Sequence, residues 1–299
     1  MTNTLTPAMA TENDSARRFL FEEADIRGES VRLTRSYREI LTLHQYAPGV
    51  ARLLGEFLAA SVLLSSTLKF AGKLILQARS GGQVPLLMAE CSDQLHIRGI
   101  ARGAEQATGL ENSLLLADGQ LVITIDPDDG QRYQGIVMLE EESLAASIDS
   151  YFASSEQLGT RLWLAADGEQ AGGLLLQQLP AQLQAAPSVR HAQWEHACTL
   201  AATTRPEELL SLAPTELLKR LYHEDKVSVF EARTVQFACT CSRERTLAAL
   251  LSLGNEEIVS LLREMGVITM DCEFCNMQYH FDENDLENVL GGGESKTLH

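Results

Sequence analysis

Two tight cysteine pairs near the C-terminus, Cys239-Thr-Cys241 and Cys272-Glu-Phe-Cys275, constrain this chain more than any other feature. Four thiolates complete the tetrahedral shell of a structural zinc ion and leave no further ligand to find. Thiolates within each pair are also close enough to be oxidised, which would expel a metal. The surrounding stretch is short of large apolar side chains. A module of about 60 residues built that way needs a staple, and a metal is the staple these residues offer.

The rest of the chain is ordinary in composition, with 299 residues of which 45% are hydrophobic, enough for two domains or one domain with an appendage. Its charge is not ordinary. Asp and Glu outnumber Lys and Arg by 41 to 24, a net of −17. Residues 232–299 alone carry five basic against eleven acidic side chains, a net of −6. That balance argues against nucleic-acid phosphates and anionic lipid as partners. It suits a soluble protein that stays dispersed while exposing apolar surface. The polar Met1–Asp14 stretch lacks the basic and apolar regions of a secretory signal. The longest apolar run, Phe57–Leu64, falls short of a membrane span. Six cysteines without an export signal point to a reducing compartment, the cytoplasm.

The pattern predicts an α+β fold in three parts: an antiparallel-sheet and helix core over 1–180, a helical linker over 181–233, and a small zinc-binding module over 234–290. In the core, Phe19–Glu23 and Ser30–Thr34 read as a hairpin turning at Arg27-Gly28-Glu29. Pro48 opens an Ala-rich apolar helix to about Ser66. Strand patterns follow at 73–77, 86–90, 121–125, 133–139, 160–165 and 173–177, with Asp126-Pro-Asp-Asp-Gly130 the strongest turn signal. Hairpins with a few helices between them exclude a regular βαβ winding.

The linker is rich in Ala, Gln and Leu, poor in strand formers, and broken by Pro187, Pro206 and Pro214. Leu217, Leu218 and Leu221 share one helical face. Helices so short are marginal without a surface to pack on. In the module, a strand at 234–238 leads to helices at 243–253 and 256–265, each stopped by a glycine, Gly254 and Gly266. A strand at 267–271 runs into the second pair, and Met277, Tyr279 and Phe281 alternate out of it.

A C-x-x-C turn between strands is a common zinc knuckle, and C-x-C sets two sulfurs on one side of an extended segment. Three other readings stay open on these residues. They are four unrelated buried thiols, a thioredoxin-like catalyst using Cys272 and Cys275, and a zinc site that is purely structural. Cys91 and Cys198 read as small buried hydrophobes, and His280 as a solvent-facing strand residue instead of a ligand. His191, His196 and His223 lack the carboxylate spacing of a catalytic group. Phosphate-loop, nucleophile-elbow and zincin motifs are absent from the sequence, so no enzyme activity and no ATP-driven cycle is expected.

Several segments together resemble the redox-regulated heat-shock holdase family, the thirty-three-kilodalton chaperonin or heat shock protein 33 family. The most specific are Phe237-Ala-Cys-Thr-Cys-Ser-Arg-Glu-Arg245 and Cys272-Glu-Phe-Cys275 before Tyr279 and Phe281. Upstream, Leu217–Glu224, Phe70–Leu74, Tyr133–Val137, Ser155-Glu-Gln157 and Ala171–Pro180 match as well. The likeness covers nearly the whole chain except about the first 15 and last 10 residues, the N-terminal extension looking long for the family.

The resemblance implies one zinc per chain held by Cys239, Cys241, Cys272 and Cys275 in a reduced, inactive protein. It implies that oxidation forms Cys239–Cys241 and Cys272–Cys275 disulfides, releases zinc and unfolds module and linker. The exposed surface would then bind unfolding client proteins without ATP, in a homodimer. Read from the residues alone, metal loss would likewise drive an order-to-disorder change. Arg243 and Arg245 could favour thiolate at Cys241. Two other functions compete: a zinc-ribbon nucleic-acid binder, disfavoured by the acidic module, and a thiol–disulfide oxidoreductase.

Overall fold

In the computed structural model, the described residues are 14–69, 71–139, 143–155, 159–184 and 186–285. The polar N-terminal stretch to residue 13, Phe70, Glu156, Gln157 and the module's end from 286 lie outside them. The chain divides into two compact units, Met1–Ala238 and Cys239–His299.

The first unit begins with β1 (Ser15–Phe21), β2 (Ile26–Leu33), α1 (Arg35–Thr42) and α2 (Pro48–Ser65). It continues through β3 (Gly72–Arg79), β4 (Leu86–Ser92), β5 (His96–Arg102), α3 (Asn112–Leu115), β6 (Gln120–Pro127) and β7 (Tyr133–Met138). After α4 (Leu144–Ser155), β8 (Thr160–Ala166) and β9 (Ala171–Gln178) come three short helices, α5 (Pro187–Ala201), α6 (Pro206–Ser211) and α7 (Pro214–Leu221). β10 (Val227–Thr234) and β11 (Gln236–Phe237) close it. Two sheets result, ordered β10-β1-β2-β9-β8 and β11-β5-β4-β3-β6-β7. All pairings are antiparallel except β11 with β5.

α2 explains the arrangement. Pro48 stands at its first turn, where the missing N–H costs nothing. Apart from Arg52 and Glu56, one turn apart, its residues are apolar or small, so nearly the whole surface of the helix must be covered. It contacts β2, β8 and β9 of one sheet and β3, β4 and β5 of the other. Phe57, Leu58 and Leu63 are fully buried there. Among the described residues this is the one helix with the length and apolarity of a membrane span, and 83% of it is buried within the protein. The sequence pattern of 57–64 understated that apolar length because small residues and Arg52 interrupt it.

Most expected strands fall where the alternation put them. The first hairpin does not: its turn lies between β1 and β2 at 22–25, and Gly28 sits inside β2, opposite Phe19. The Phe19 ring lies over Gly28 and occupies the space a Cβ would need. A turn glycine and a close-packing glycine look alike in sequence.

The stretch 181–233 is not wholly helical, since β10 pairs along β1 from Phe21↔Val227 to Ser15↔Thr234. Before it, α5–α7 lay one apolar stripe on the five-stranded sheet. Trp194, Ala197, Ala201, Leu209, Leu210, Leu217, Leu218, Leu221 and Tyr222 form a second core with Phe19, Phe21, Ile26, Leu174 and Leu176. Tyr222 meets Phe21 edge-on at 4.8 Å. The strand expected to open the metal module, 234–238, belongs to the first unit: Phe237 pairs with Ile97, and Ala238 donates to the Ile97 carbonyl at 3.1 Å.

The second unit holds α8 (Arg243–Leu251), α9 (Asn255–Met265), β12 (Ile268–Asp271) and β13 (Gln278–Phe281). Gly266, at φ 72°, ends α9 as expected, whereas Gly254, at φ 93°, is the N-cap of α9, because α8 already ends at Leu251 with Ser252 as its cap. Its core among the described residues is four side chains: Leu250, Ile258, Ile268 and Phe281.

Candidate metal centre

Two local structures bring the four sulfurs together. The first pair lies in extended chain directly before α8, whose N-terminus is fixed by Ser242 accepting from the Arg245 amide at 3.3 Å. The second pair occupies the connection between β12 and β13, whose register runs from Ile268↔Phe281 to Asp271↔Gln278. There the Cys272 carbonyl accepts from the amides of Cys275 at 3.3 Å and Asn276 at 2.7 Å, and the Cys272 amide donates to Met277 O at 2.9 Å. Asn276 takes φ 57°, a conformation asparagine tolerates better than most residues. This is the knuckle expected of C-x-x-C. Amides of Cys275 and Phe274 point at the Cys272 sulfur, and that of Met277 at the Cys275 sulfur.

Sulfur Sγ of Cys239 lies 3.6 Å from that of Cys272, and Cys241 Sγ lies 3.4 Å from Cys275 Sγ. All four lie within 4.8 Å of one another. A tetrahedral thiolate shell with bonds of about 2.3 Å has sulfur–sulfur edges of about 3.8 Å, so the cluster fits such a shell with small adjustments. Every cysteine is a free thiol. Burial pushes the thiols of Cys272 and Cys275 upward, and for Cys275 the neighbouring sulfurs add to the rise. Without a cation this cluster favours its protons; a bound divalent ion reverses that preference. The cluster could therefore hold a metal ion.

Neighbours unseen in the sequence complete the surroundings. The Tyr279 hydroxyl donates to Cys241 Sγ at 3.2 Å. Nothing in the spacing of the chain announced that contact; only the β12–β13 register directs Tyr279 toward the first pair. Arg243 was expected near Cys241, but its guanidinium donates to the His280 carbonyl at 2.8 Å, pairs with Asp285 at 2.6 Å and stacks 4.6 Å from the Phe281 ring centre. Arg245 donates to Thr240 O at 2.8 Å. Both arginines tie the fold of the module together. His280 is exposed, bonded to Thr269 Oγ1 at 2.9 Å, and stands outside the cluster as expected.

The remaining thiols are isolated. Cys91 is buried and Cys198 half-buried, and burial pushes each thiol up to about 12. His191, His196 and His223 are exposed, the latter two beside Asp225 and Glu224.

A mixed α+β unit joined to a small thiol-cluster module defines a class of protein whose chemistry sits in four sulfurs. Comparison with known proteins agrees. The family model described as Hsp33 protein matches residues 14–282. The 33 kDa chaperonin of Pseudomonas paraeruginosa is 52% identical over 296 residues, covering 97% of this chain and all of the relative. That of Pseudomonas syringae pv. tomato is 53% identical, covering 94% of each chain, and that of Azotobacter vinelandii 52%, covering 94% and 96%. The crystal structure of the 33 kDa chaperonin (heat shock protein 33 homolog) of Thermotoga maritima superposes with a TM-score of 0.78, covering 93% of this chain and 98% of that one, at 20% identity. The chain belongs to the Hsp33 family of chaperones.

Proposed function

We propose that this protein is a holdase switched by oxidation, inactive when Cys239, Cys241, Cys272 and Cys275 hold a zinc ion. The observation that carries this reading is the gathering of four sulfurs within 4.8 Å in a module whose apolar core is four side chains. Bound there, zinc would supply folding free energy, on the order of 10–16 kcal/mol in metal-dependent modules, that the apolar core does not.

The chain's own residues would do the switching. Four thiols becoming two disulfides release four electrons and four protons, which two molecules of peroxide consume in becoming water. We assign the bridges as Cys239–Cys241 and Cys272–Cys275. A bridge within a pair leaves the two halves of the module untethered, whereas a bridge between pairs would staple them together. Neighbours in sequence also have the higher effective concentration once the cluster opens. Neither local bridge preserves the four-sulfur arrangement, so metal binding and oxidation exclude one another.

The division into 1–180, 181–233 and 234–290 describes the roles: client-binding core, releasable segment and switch. Ala238 alone separates Cys239 from β11, whose short pairing with β5 follows the releasable segment in the chain. If α5–α7 detach, Phe19, Phe21, Ile26, Leu174 and Leu176 come into contact with solvent. That apolar surface would capture unfolding proteins without ATP, and would favour a homodimer in the active state. A net charge of −17 keeps such a state dispersed, in the cytoplasm where the thiols start reduced.

The test measures zinc content, free thiols, disulfide positions and suppression of client aggregation, before and after peroxide with mild heat. Four thiols and one zinc should disappear together as holding appears. Equal holding in both states, or holding gained with the ion retained, would sink the proposal.

A further inference from the structure

The β1–β2 turn grips the releasable segment at several points. Asp25 is 5% exposed. Its Oδ1 accepts from the Leu183 amide at 2.9 Å and the Gln182 amide at 3.2 Å, and its Oδ2 accepts from the Gln184 amide at 3.2 Å. The Arg190 guanidinium, from the first turns of α5, lies 3.6 Å from Oδ2 and donates to the Leu179 carbonyl at 2.6 Å. The Asp25 carbonyl accepts from the Leu179 amide at 2.8 Å. Gln193 of α5 donates to the Glu23 carbonyl at 2.8 Å. The far end returns to the same turn: Glu22 donates its amide to Lys226 O at 2.9 Å, Ser228 bonds the Glu22 carboxylate at 2.6 Å, and Lys226 pairs with Glu23.

These contacts are unequal. The Glu22 and Glu23 side-chain contacts are exposed and worth little in water. The Asp25 carboxylate is buried and engages three successive amides and a guanidinium, and charge-assisted bonds of this kind are the strong ones. Burial alone would raise its pKa, but the amides and Arg190 outweigh it and hold the carboxyl below its ordinary range. Removing the carboxylate would leave the amides of Gln182, Leu183 and Gln184 without this acceptor and Arg190 without its counter-charge.

We propose that Asp25 is the release latch of α5–α7: its carboxylate fixes residues 182–184 against the β1–β2 turn, and losing it frees the helices while the cysteines remain reduced and metal-loaded. The latch lies far in sequence from the cysteines, at the start of a segment whose other end is paired along β1 through β10. Where the segment begins to open from its other end, the latch at Asp25 decides whether opening spreads through α5. The consequence for holding rests on the function proposed above, whereas the consequence for order does not.

The test uses full-length, reduced, zinc-loaded Asp25→Ala and Asp25→Asn proteins beside the wild type. Amide hydrogen exchange is followed over 187–201 and, as a control, over α2. Exchange over 187–201 should rise at least tenfold in Asp25→Ala and less in Asp25→Asn, which keeps one carbonyl acceptor. Protection in α2 and zinc content should be unchanged. Reduced Asp25→Ala should then suppress client aggregation as oxidised wild type does. Wild-type exchange rates over 187–201 in Asp25→Ala would overturn the latch. So would an opened α5 without holding, if oxidised wild type holds. Should oxidised wild type fail to hold as well, the proposed function falls and exchange alone decides the latch. If Asp25→Ala loses protection in α2, Asp25→Asn decides by the same readout.

Discussion

The first unit and the cysteine module stay ordered by opposite means. In the first, α2 is apolar or small except at Arg52 and Glu56 and is covered by two sheets, so stability is spread over many contacts from Ala16 to Val235. In the second, Leu250, Ile258, Ile268 and Phe281 are the buried apolar side chains among the described residues, beside a cluster of four sulfurs. Distributed stability declines gradually as contacts are lost. Stability concentrated in one four-ligand site can be removed by a single chemical event. The proposed function uses that difference: a durable scaffold joined in one chain to a part that metal loss would unfold.

The sharpest way to break this contrast is to remove the metal without oxidant. Chelation under reducing conditions, or Cys272→Ser, should unfold 239–285 outright, since the loss is on the order of 10–16 kcal/mol. Backbone amide spectra would collapse to random-coil positions for the module while the α2 signals stay dispersed. A module that kept its dispersion without metal would show that its small core suffices.

The second test strikes the other side. Phe57→Ala, at a side chain with no exposure in α2, should cost about 3–5 kcal/mol of unfolding free energy in the first unit. Metal affinity should not change, as measured by competition with a chromogenic chelator. A matched loss of metal affinity would mean that the two units are coupled more closely than the contrast allows.

The third effect is smaller and depends on pH. Burial raises the Glu56 carboxyl from its usual 4.5 to about 7, with Arg52 only partly offsetting it. Between those values the folded chain binds a proton that the unfolded chain has released, so the first unit loses stability as pH rises from about 4.5 to about 7. Glu56→Gln should flatten that slope and add roughly 1–3 kcal/mol at pH 8. Denaturant midpoints across the pH range check it; an unchanged slope would remove Glu56 from the account.

Between the two extremes lies 181–233. Its prolines and short helices read as marginal order, and α5–α7 pack on the sheet face beneath them. What the pattern did not reveal was β10, because Val227–Thr234 is partly buried only at Val227 and Ser228 and exposed from Val229 on, with no alternation. Its pairing with β1 spans about 200 residues of chain, and no local signal encodes a partner that distant.

Spacing alone determined the essentials of the site. C-x-C and C-x-x-C keep two sulfurs within short reach of each other, because two- and three-residue separations limit their distance; the contacts of Cys239 with Cys272 and Cys241 with Cys275 came from the fold. Periodicity likewise fixed most strands and the span of α2, since burial on one face or on all faces is written locally. Tertiary structure decided the rest: Gly28 under Phe19 instead of in a turn, Tyr279 against Cys241, Arg243 on Phe281, and Asp25 on residues 182–184. Each of these joins groups that lie apart in sequence, and a hydrogen bond or ring contact depends on positions in space that no stretch of chain specifies by itself.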